Sequence, residues 1–309
     1  MKRLVDTTKI THEEWLKYRK MGISGTDAGS ICGLNPYKSS MQVFIDKTTD
    51  TIEEVDNEVM KQGRDLEEYV AQRFCEATGK KVRRANAIFC SDENPWMLAN
   101  FDRLIVGERA GLECKTVSVY MADKWKDGEI PMHYLLQCQH YLAVSGYDAW
   151  YIAALVFGKE FIVHKIERDE EVIADLIHIE KYFWENHVLT GVMPNPDGSK
   201  AADEFLSQYF EKAKKDSAIE LVGFDAKLER RDAILKEVAK LQKEQSQIEQ
   251  EIKVFMEDNE SAVSEKYRVM WSNVDSTRFD TKRFKSEKPE LYKEYAMTST
   301  SRRFQIKAA

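Results

Sequence analysis

The chain has 309 residues, 43% hydrophobic and 11% aromatic, enough for one sizeable core with an appendage or for two domains. Its formal net charge is −7, from 46 Lys and Arg against 53 Asp and Glu, which argues against polyanion binding over the whole surface but leaves room for one basic channel. No apolar run approaches the length of a membrane helix, and residues 1–9 have no apolar stretch behind Lys2 and Arg3, so a cytoplasmic location with no membrane partner is expected.

Five cysteines (Cys32, Cys75, Cys90, Cys114, Cys138) occur without a CxxC pair, and the odd count argues against a closed disulfide framework. Neither they nor the six histidines have zinc-ligand spacing, so buried thiols are expected rather than a structural zinc or an iron–sulfur cluster.

Thr11 stands as an N-cap before Trp15, Leu16 and Tyr18, with Glu14 three residues on, and predicts a short helix ending near Lys20. Gly22-Ile23-Ser24-Gly25-Thr26-Asp27 then reads as a tight turn feeding a helix over 28–32. With Arg19 close behind, this turn could hold a phosphate; the plainer reading, and the preferred one for this segment alone, is that Asp27 or Thr26 simply caps the helix. Asn35-Pro36-Tyr37 ends that helix, and 40–47 begins another. After acidic 53–58, Leu66, Val70 and Phe74 recur at helical spacing in a core-facing helix closed by Gly79. Glu67 borders that stripe, either as a surface acid or as a ligand reaching a site built on a sheet. Residues 81–90 read as a strand and 92–95 as a turn.

Residues 100–116 read as a β-hairpin. Leu104, Ile105 and Val106 carry strand propensity into Gly107-Glu108, a two-residue loop with glycine first, as a II′ turn requires. That register sets Asp102 opposite Glu113, and alternation places Asp102, Glu113 and Lys115 on one face with Leu112 and Cys114 on the other. Two carboxylates this close repel unless a cation joins them. Hard oxygen ligands select Mg²⁺ or Mn²⁺, which polarises a phosphoryl oxygen and lowers the pKa of a bound water, while Lys115 can orient that water or stabilise developing charge. The chemistry is phosphodiester hydrolysis. In a chain that is 32% charged, the same residues also fit a solvated face with a surface ion pair.

Residues 117–128 form a connection in which Lys124, Trp125 and Lys126 suit either nucleic-acid contact or a half-buried tryptophan between solvated lysines. Pro131 opens a helix to about Ser145, on which Tyr134, Gln137 and Tyr141 share one side; Gln137 either needs a buried partner or faces a cleft. Residues 149–156 and 160–166 form a second hairpin. Asp169 caps a long helix whose inner side carries Val172, Ile173, Leu176, Ile177, Tyr182 and Phe183. This order predicts an α/β (α+β) fold: one central mixed β-sheet flanked by helices over residues 1–200. A coiled-coil-like segment follows over 201–260, where Ile234, Val238, Leu241, Gln245, Ile248, Ile252 and Phe255 alternate four and three apart; it is expected to fold back on a helix at 201–215. Residues 261–309 form a small basic α+β appendage, with strands at 267–274 and 302–307, a helix at 282–295, and Arg278, Lys282, Arg283, Lys285, Arg302 and Arg303 as its charges.

Taken together, 11–195 resembles the YqaJ-like viral recombinase family, relatives of the phage lambda exonuclease in the PD-(D/E)xK superfamily with a restriction-endonuclease-like core. Gly22-Ile23-Ser24-Gly25-Thr26-Asp27 with Gly33-Leu34-Asn35-Pro36-Tyr37 is similar to the N-terminal signature, Gly63-x-x-x-Glu67 to the ligand-bearing helix, Asp102 with Glu113-Cys114-Lys115 to the nuclease core, and Gln137-x-x-x-Tyr141 to the motif of RecB-type nucleases. The resemblance implies a site of two Mg²⁺ (or Mn²⁺) ions, with Asp102, Glu113 and the Cys114 carbonyl on one and Glu67 helping to hold the second. Lys115 would activate water, and Arg19, Ser24, Thr26, Asn100, Gln137 and Tyr141 would engage DNA and its terminal 5′-phosphate. Two departures stand out: Phe101 precedes Asp102 where the superfamily's proline would be, and Asn100 replaces a serine of the lambda enzyme.

The activity implied is digestion of double-stranded DNA from 5′-phosphorylated ends in phage or prophage recombination, leaving 3′ overhangs for a single-strand annealing protein, by a homo-oligomer that is a trimeric ring in the lambda relative. The alternatives are a RecB-like single-strand or endo-acting nuclease, and a non-catalytic DNA-end-binding scaffold.

Overall fold

The computed structural model describes residues 1–50, 57–298 and 300–307. In chain order, β1 (Lys2–Asp6) leads to α1 (His12–Lys20), the two-residue β2 (Ile23–Ser24), α2 (Gly25–Ile31), α3 (Ser40–Thr48) and the long α4 (Glu58–Thr78). Next come β3 (Val82–Arg84), β4 (Ala87–Cys90), β5 (Met97–Asn100), β6 (Arg103–Ile105) and β7 (Ala110–Val117), then 3-10 turns over Val119–Gly128 and α5 (Met132–Ser145). β8 (Ala149–Val156), β9 (Glu160–Glu167), α6 (Glu170–Phe183) and α7 (Lys200–Tyr209) complete a first unit, Met1–Glu211. The second unit, Lys212–Ala309, holds α8 (Asp225–Met256), β10 (Ser261–Val263), β11 (Arg268–Met270), α9 (Thr281–Glu287) and α10 (Pro289–Tyr295).

Helix ends follow the local chemistry. At α1 the capping box closes in both directions: Glu14 N donates to Thr11 Oγ1 (3.2 Å) and Thr11 N to Glu14 Oε2 (2.7 Å). Asp169 Oδ1 accepts from the amides of Glu171 and Val172 at 3.1 Å and starts α6. α4 starts on Asn57, whose Oδ1 accepts from Met60 N at 3.0 Å, and stops at Gly79, whose φ of +70° is a left-handed cap.

The described strands of the first unit form two sheets where one was expected, and β10 and β11 pair antiparallel by themselves in the second unit. A five-stranded sheet has the order β3-β6-β7-β8-β9, with β7 and β8 parallel and the other neighbours antiparallel; a four-stranded sheet has the order β1-β4-β5-β2. The strand expected over 81–90 divides because Asn86 takes a left-handed φ of 50°, sending β3 to one sheet and β4 to the other. Likewise Asn100 ends β5 and the hairpin strand begins only at Arg103, so Phe101 and Asp102 bridge the two sheets. Within the hairpin Arg103 faces Leu112 and Leu104 faces Gly111, the register that sets Asp102 against Glu113. The turn is longer than two residues, spanning 106–109, because Val106 N donates outward to Lys81 O (2.8 Å) instead of across the hairpin.

The five-stranded sheet is covered on both faces. Val70 and Phe74 of α4 pack with Leu112, Ala149 and Ala153, and Cys114 joins this face as alternation requires. On the other face Tyr141 and Leu142 of α5 pack with Phe101, Trp150 and Ile152. Each fully buried Leu, Ile or Phe in these layers contributes roughly 1.5–3 kcal/mol. Trp125 is buried, with its ring tilted against that of Tyr134 at 5.7 Å, so it is core and not a free contact for a base. All five cysteines are free; Cys90 and Cys138 are buried, whereas Cys32, Cys75 and Cys114 are half-buried.

Further expectations change in detail. The helix expected at 201–215 is α7 and stops at Tyr209, within the first unit. Residues 302–307 form no strand, and β11 is three residues long. The helix expected at 282–295 is split into α9 and α10 at Lys288-Pro289, since Pro289 has no amide hydrogen to continue the ladder. α8 spans the heptad pattern without a break. No helix among the described residues is long and apolar enough to cross a membrane.

Candidate active site

β7 and α5 build the centre of the site between them. Glu113, 4% exposed, points from β7 toward α5, and its Oε1 accepts from Lys115 Nζ (2.6 Å) and from Gln137 Nε2 (2.7 Å). Gln137 Oε1 accepts a second bond from Lys115 (3.2 Å), so the amide lies between the acid and the cation with its orientation settled by both. Gln137 is therefore a buried residue with partners, and Tyr141 supports it: the Tyr141 hydroxyl accepts from Gln137 Nε2 at 2.9 Å. Tyr141 is itself buried among Phe101 and Trp150, which removes it from direct reach of a nucleic acid.

Asp102 hangs from the bridge between the sheets, with Oδ2 accepting from Cys114 N (2.8 Å). Burial and the negative charges of Glu113 and Glu67 hold its carboxyl well above the ordinary aspartate value, against Lys115 and the Cys114 amide. For Lys115 burial opposes the charge, but Glu113, Tyr134 and Asp102 outweigh it, so its pKa lies above the usual lysine value. Its Nζ also sits 4.7 Å from the Tyr134 ring centre.

The pairing of Asp102, Glu113 and Lys115 on one face is as alternation predicts. Glu67 arrives differently. It is bound by Arg103, whose Nη1 reaches both the Glu67 carboxylate and the Asp102 carbonyl oxygen, while Nη2 donates to Glu68 (3.0 Å). Arg84 adds a bond to Glu68 at 2.5 Å. Neither arginine was singled out from sequence; a buried arginine one residue after an acid that turns the opposite way leaves no periodic signal.

Whether a divalent ion fits is decided by one atom. Glu113 Oε2 is buried and has no hydrogen-bond partner, an arrangement that costs on the order of 1–3 kcal/mol unless something binds it. With Asp102 alongside, the donor set is hard oxygen, as Mg²⁺ takes it, with most of its shell left to water and substrate. Among the described residues no group of three or more His, Cys, Asp and Glu side chains is gathered to hold an ion, since Glu67 is engaged by Arg103.

A second cluster surrounds the turn at 22–27. Arg19 Nη2 donates to Thr26 Oγ1 (2.9 Å) and Ser24 Oγ (3.3 Å), and Arg19 lies over the Trp15 ring, whose Nε1 donates to Asn100 Oδ1 (3.4 Å). Asp27 does reach back to cap: its Oδ2 accepts from Ser24 N (3.1 Å) and Ser24 Oγ (2.7 Å). It also meets Lys47 Nζ (2.8 Å) and Lys38 Nζ (3.3 Å), and Lys38 continues to Asp46 (2.6 Å). Three cations and two carboxylates leave one positive charge in excess. Lys47 was missed from sequence although a signal existed, since it falls four residues after Val43 and three after Phe44, on the buried stripe of α3. The same register error of a charge on an apolar face marks Glu180, fully buried on α6 against His140 (2.8 Å).

Gly25 ties the two clusters together. A Cβ there would stand 2.5 Å from Tyr141 Cε1, and that ring is locked between Phe101 and Trp150. Gly25→Ala is expected to lose about 1–3 kcal/mol of stability by overpacking and to displace the Tyr141–Gln137 support, measurable as a lower urea midpoint. An unchanged midpoint would show that Tyr141 has room to move.

Residues 14–148 match the YqaJ-like viral recombinase domain. The uncharacterized protein YqaJ of Bacillus subtilis (strain 168) is 39% identical over 308 residues, covering 98% of this chain and 97% of that protein. Among solved structures, the alkaline exonuclease LHK-Exo of Laribacter hongkongensis superposes with a TM-score of 0.51 at 18% identity, over 64% of this chain and 97% of that one. The same enzyme in complex with dAMP gives 0.50 at 19% identity over the same shares. The fold is thus the mixed, helix-flanked, restriction-endonuclease-like one of the alkaline exonucleases. With a domain match across both clusters and a relative aligned almost end to end, the chain belongs to the YqaJ-like viral recombinase family.

Proposed function

We propose that the protein is a Mg²⁺-dependent exonuclease that hydrolyses double-stranded DNA from 5′-phosphorylated ends. The observation that carries this reading is the unpartnered, buried Glu113 Oε2 beside Asp102, with Lys115 on the same face. A bound divalent ion would supply Lewis-acid polarisation of the scissile phosphate and a more acidic water. Asp102 and Glu113 would hold it, with Glu67 exchanging Arg103 for a second ion. Lys115, kept protonated by Glu113, orients the attacking water and offsets charge that develops on the phosphate; Gln137 fixes Lys115 and Glu113 relative to each other. The excess positive charge around Arg19, Lys38 and Lys47, with the hydroxyls of Ser24 and Thr26 and the amide of Asn100, suits a terminal phosphate. The Laribacter enzyme was captured with dAMP, the kind of mononucleotide that such cleavage releases. On this reading a 3′ overhang is left for an annealing protein, and a ring of subunits would enclose the duplex with its acidic sides outward.

The test is linear duplex DNA carrying either a 5′-phosphate or a 5′-hydroxyl, with Mg²⁺, and closed circles as control. Release of mononucleotides is expected, faster from the phosphorylated end, with circles uncut. Arg19→Ala is expected to erase the preference between ends while slow hydrolysis continues. Equal loss on both ends would remove the phosphate site from the proposal, and cutting of circles would move the protein to the endonucleases.

A further inference from the structure

We infer that α8 is a docking seam for an amphipathic helix of a different polypeptide, one whose apolar stripe is flanked by lysine or arginine. Between positions 234 and 255 the seam has Val238, Gln245 and Ile252 at the a positions of a heptad and Ile234, Leu241, Ile248 and Phe255 at the d positions. Along it Ile234 is 46% exposed, Leu241 62% and Ile248 52%, values of side chains on an open helix surface. A helix of 32 residues draws little stability from propensity alone and gains most from packing such a stripe.

The charges select the occupant. All four acids of this stretch, Glu237, Glu244, Glu249 and Glu251, fall at e or g beside the seam, and all four lysines, Lys236, Lys240, Lys243 and Lys253, fall at the b, c and f positions away from it. A second copy of this chain is a poor match in either direction. Parallel pairing would set Glu244 of one copy beside Glu249 of the other, and antiparallel pairing would set the g-position glutamates against one another. Gln245, at the central a position, donates to Glu249 at 2.9 Å, so the one polar seam residue leans to the acidic flank and favours a partner with a polar group at the matching layer.

The experiment titrates the full chain with a synthetic three-heptad helical peptide carrying isoleucine at a, leucine at d, asparagine at the central a and lysine at every e and g, against the same peptide with glutamate at e and g. The lysine-flanked peptide is expected to bind at least about tenfold more tightly at low salt, with the gap closing as salt rises. The combined variant Glu237→Lys, Glu244→Lys, Glu249→Lys and Glu251→Lys, all surface changes checked for helicity by circular dichroism, is expected to reverse the preference. No binding of the lysine peptide, equal binding of both peptides, or self-association in sedimentation that Leu241→Lys abolishes would each overturn the inference, the last by assigning the seam to a second copy. None of these outcomes depends on nuclease activity.

Discussion

Lys115→Ala is expected to lower the single-turnover rate of nucleotide release by about 10²–10³ at saturating Mg²⁺, with DNA binding nearly unchanged. The lysine donates to Glu113 Oε1 at 2.6 Å and to Gln137 Oε1 at 3.2 Å, and its side chain is only 17% exposed, so its ammonium is held in one position. Removing it deletes the ammonium that pairs with Glu113 beside Asp102, and charge that grows on the phosphate loses that counter-charge. Glu113→Gln is the complementary change. It keeps the shape and the bond to Lys115 but replaces the unpartnered carboxylate oxygen with an amide, and is expected to weaken Mn²⁺ binding measured by calorimetry as well as the rate. If Lys115→Ala turned over at wild-type speed, or if Glu113→Gln bound Mn²⁺ as before, the carboxylate pair on β7 and its bridge would have to be relieved of catalysis.

The largest loss of stability is expected at Asp27. It is 2% exposed and faces Lys47, itself 5% exposed, at 2.8 Å. Burial alone would raise its pKa; Lys47, Lys38 and Arg19 overcome this and hold it well below the ordinary 3.8. With three cations sharing it, the same burial leaves Lys47 below the usual lysine value despite the pair. Asp27→Asn strands that buried ammonium, and the expected cost is about 3–5 kcal/mol in urea unfolding at neutral pH. The sign with pH follows from the depressed value. Because the folded carboxyl binds its proton less tightly than the unfolded one, Asp27 stabilises the protein above pH 3.8, and that contribution drains away as pH falls through the folded value. The mutant should therefore approach the wild type in acid. A constant difference across the acid range would mean that the carboxylate's charge is not what holds α2 to α3.

Much of this was legible from residue order. The capping residues Thr11, Asp169 and Gly79 mark helix ends because their reasons are local, and the hairpin register that aligns Asp102 with Glu113 follows from strand alternation. The split into two sheets was not legible. β4 pairs with β1 from more than 80 positions earlier, Lys2 opposite Cys90, and no local pattern announces such a partner. Nor does alternation report a buried ion pair. Arg103 looks like an ordinary strand residue until α4 brings Glu67 and Glu68 against it. Gln137 illustrates the middle case: its polarity on an apolar helix indicated that it needed partners, and only the fold identified them as Glu113, Lys115 and Tyr141.

Phe101 and Asp102 are the sole backbone between the last residue of β5 and the first of β6. Ser24 and Asn100 ride on the smaller sheet, whereas Glu113 and Lys115 ride on the larger. On the proposed reading, the grip on a strand terminus and the blade that severs it stand on different sheets, which the chain links at residues 85–86 as well as at 101–102 and which pack through one shared core. The spacing between grip and blade, and with it the length of fragment released, would then be set by those two links and the core they enclose.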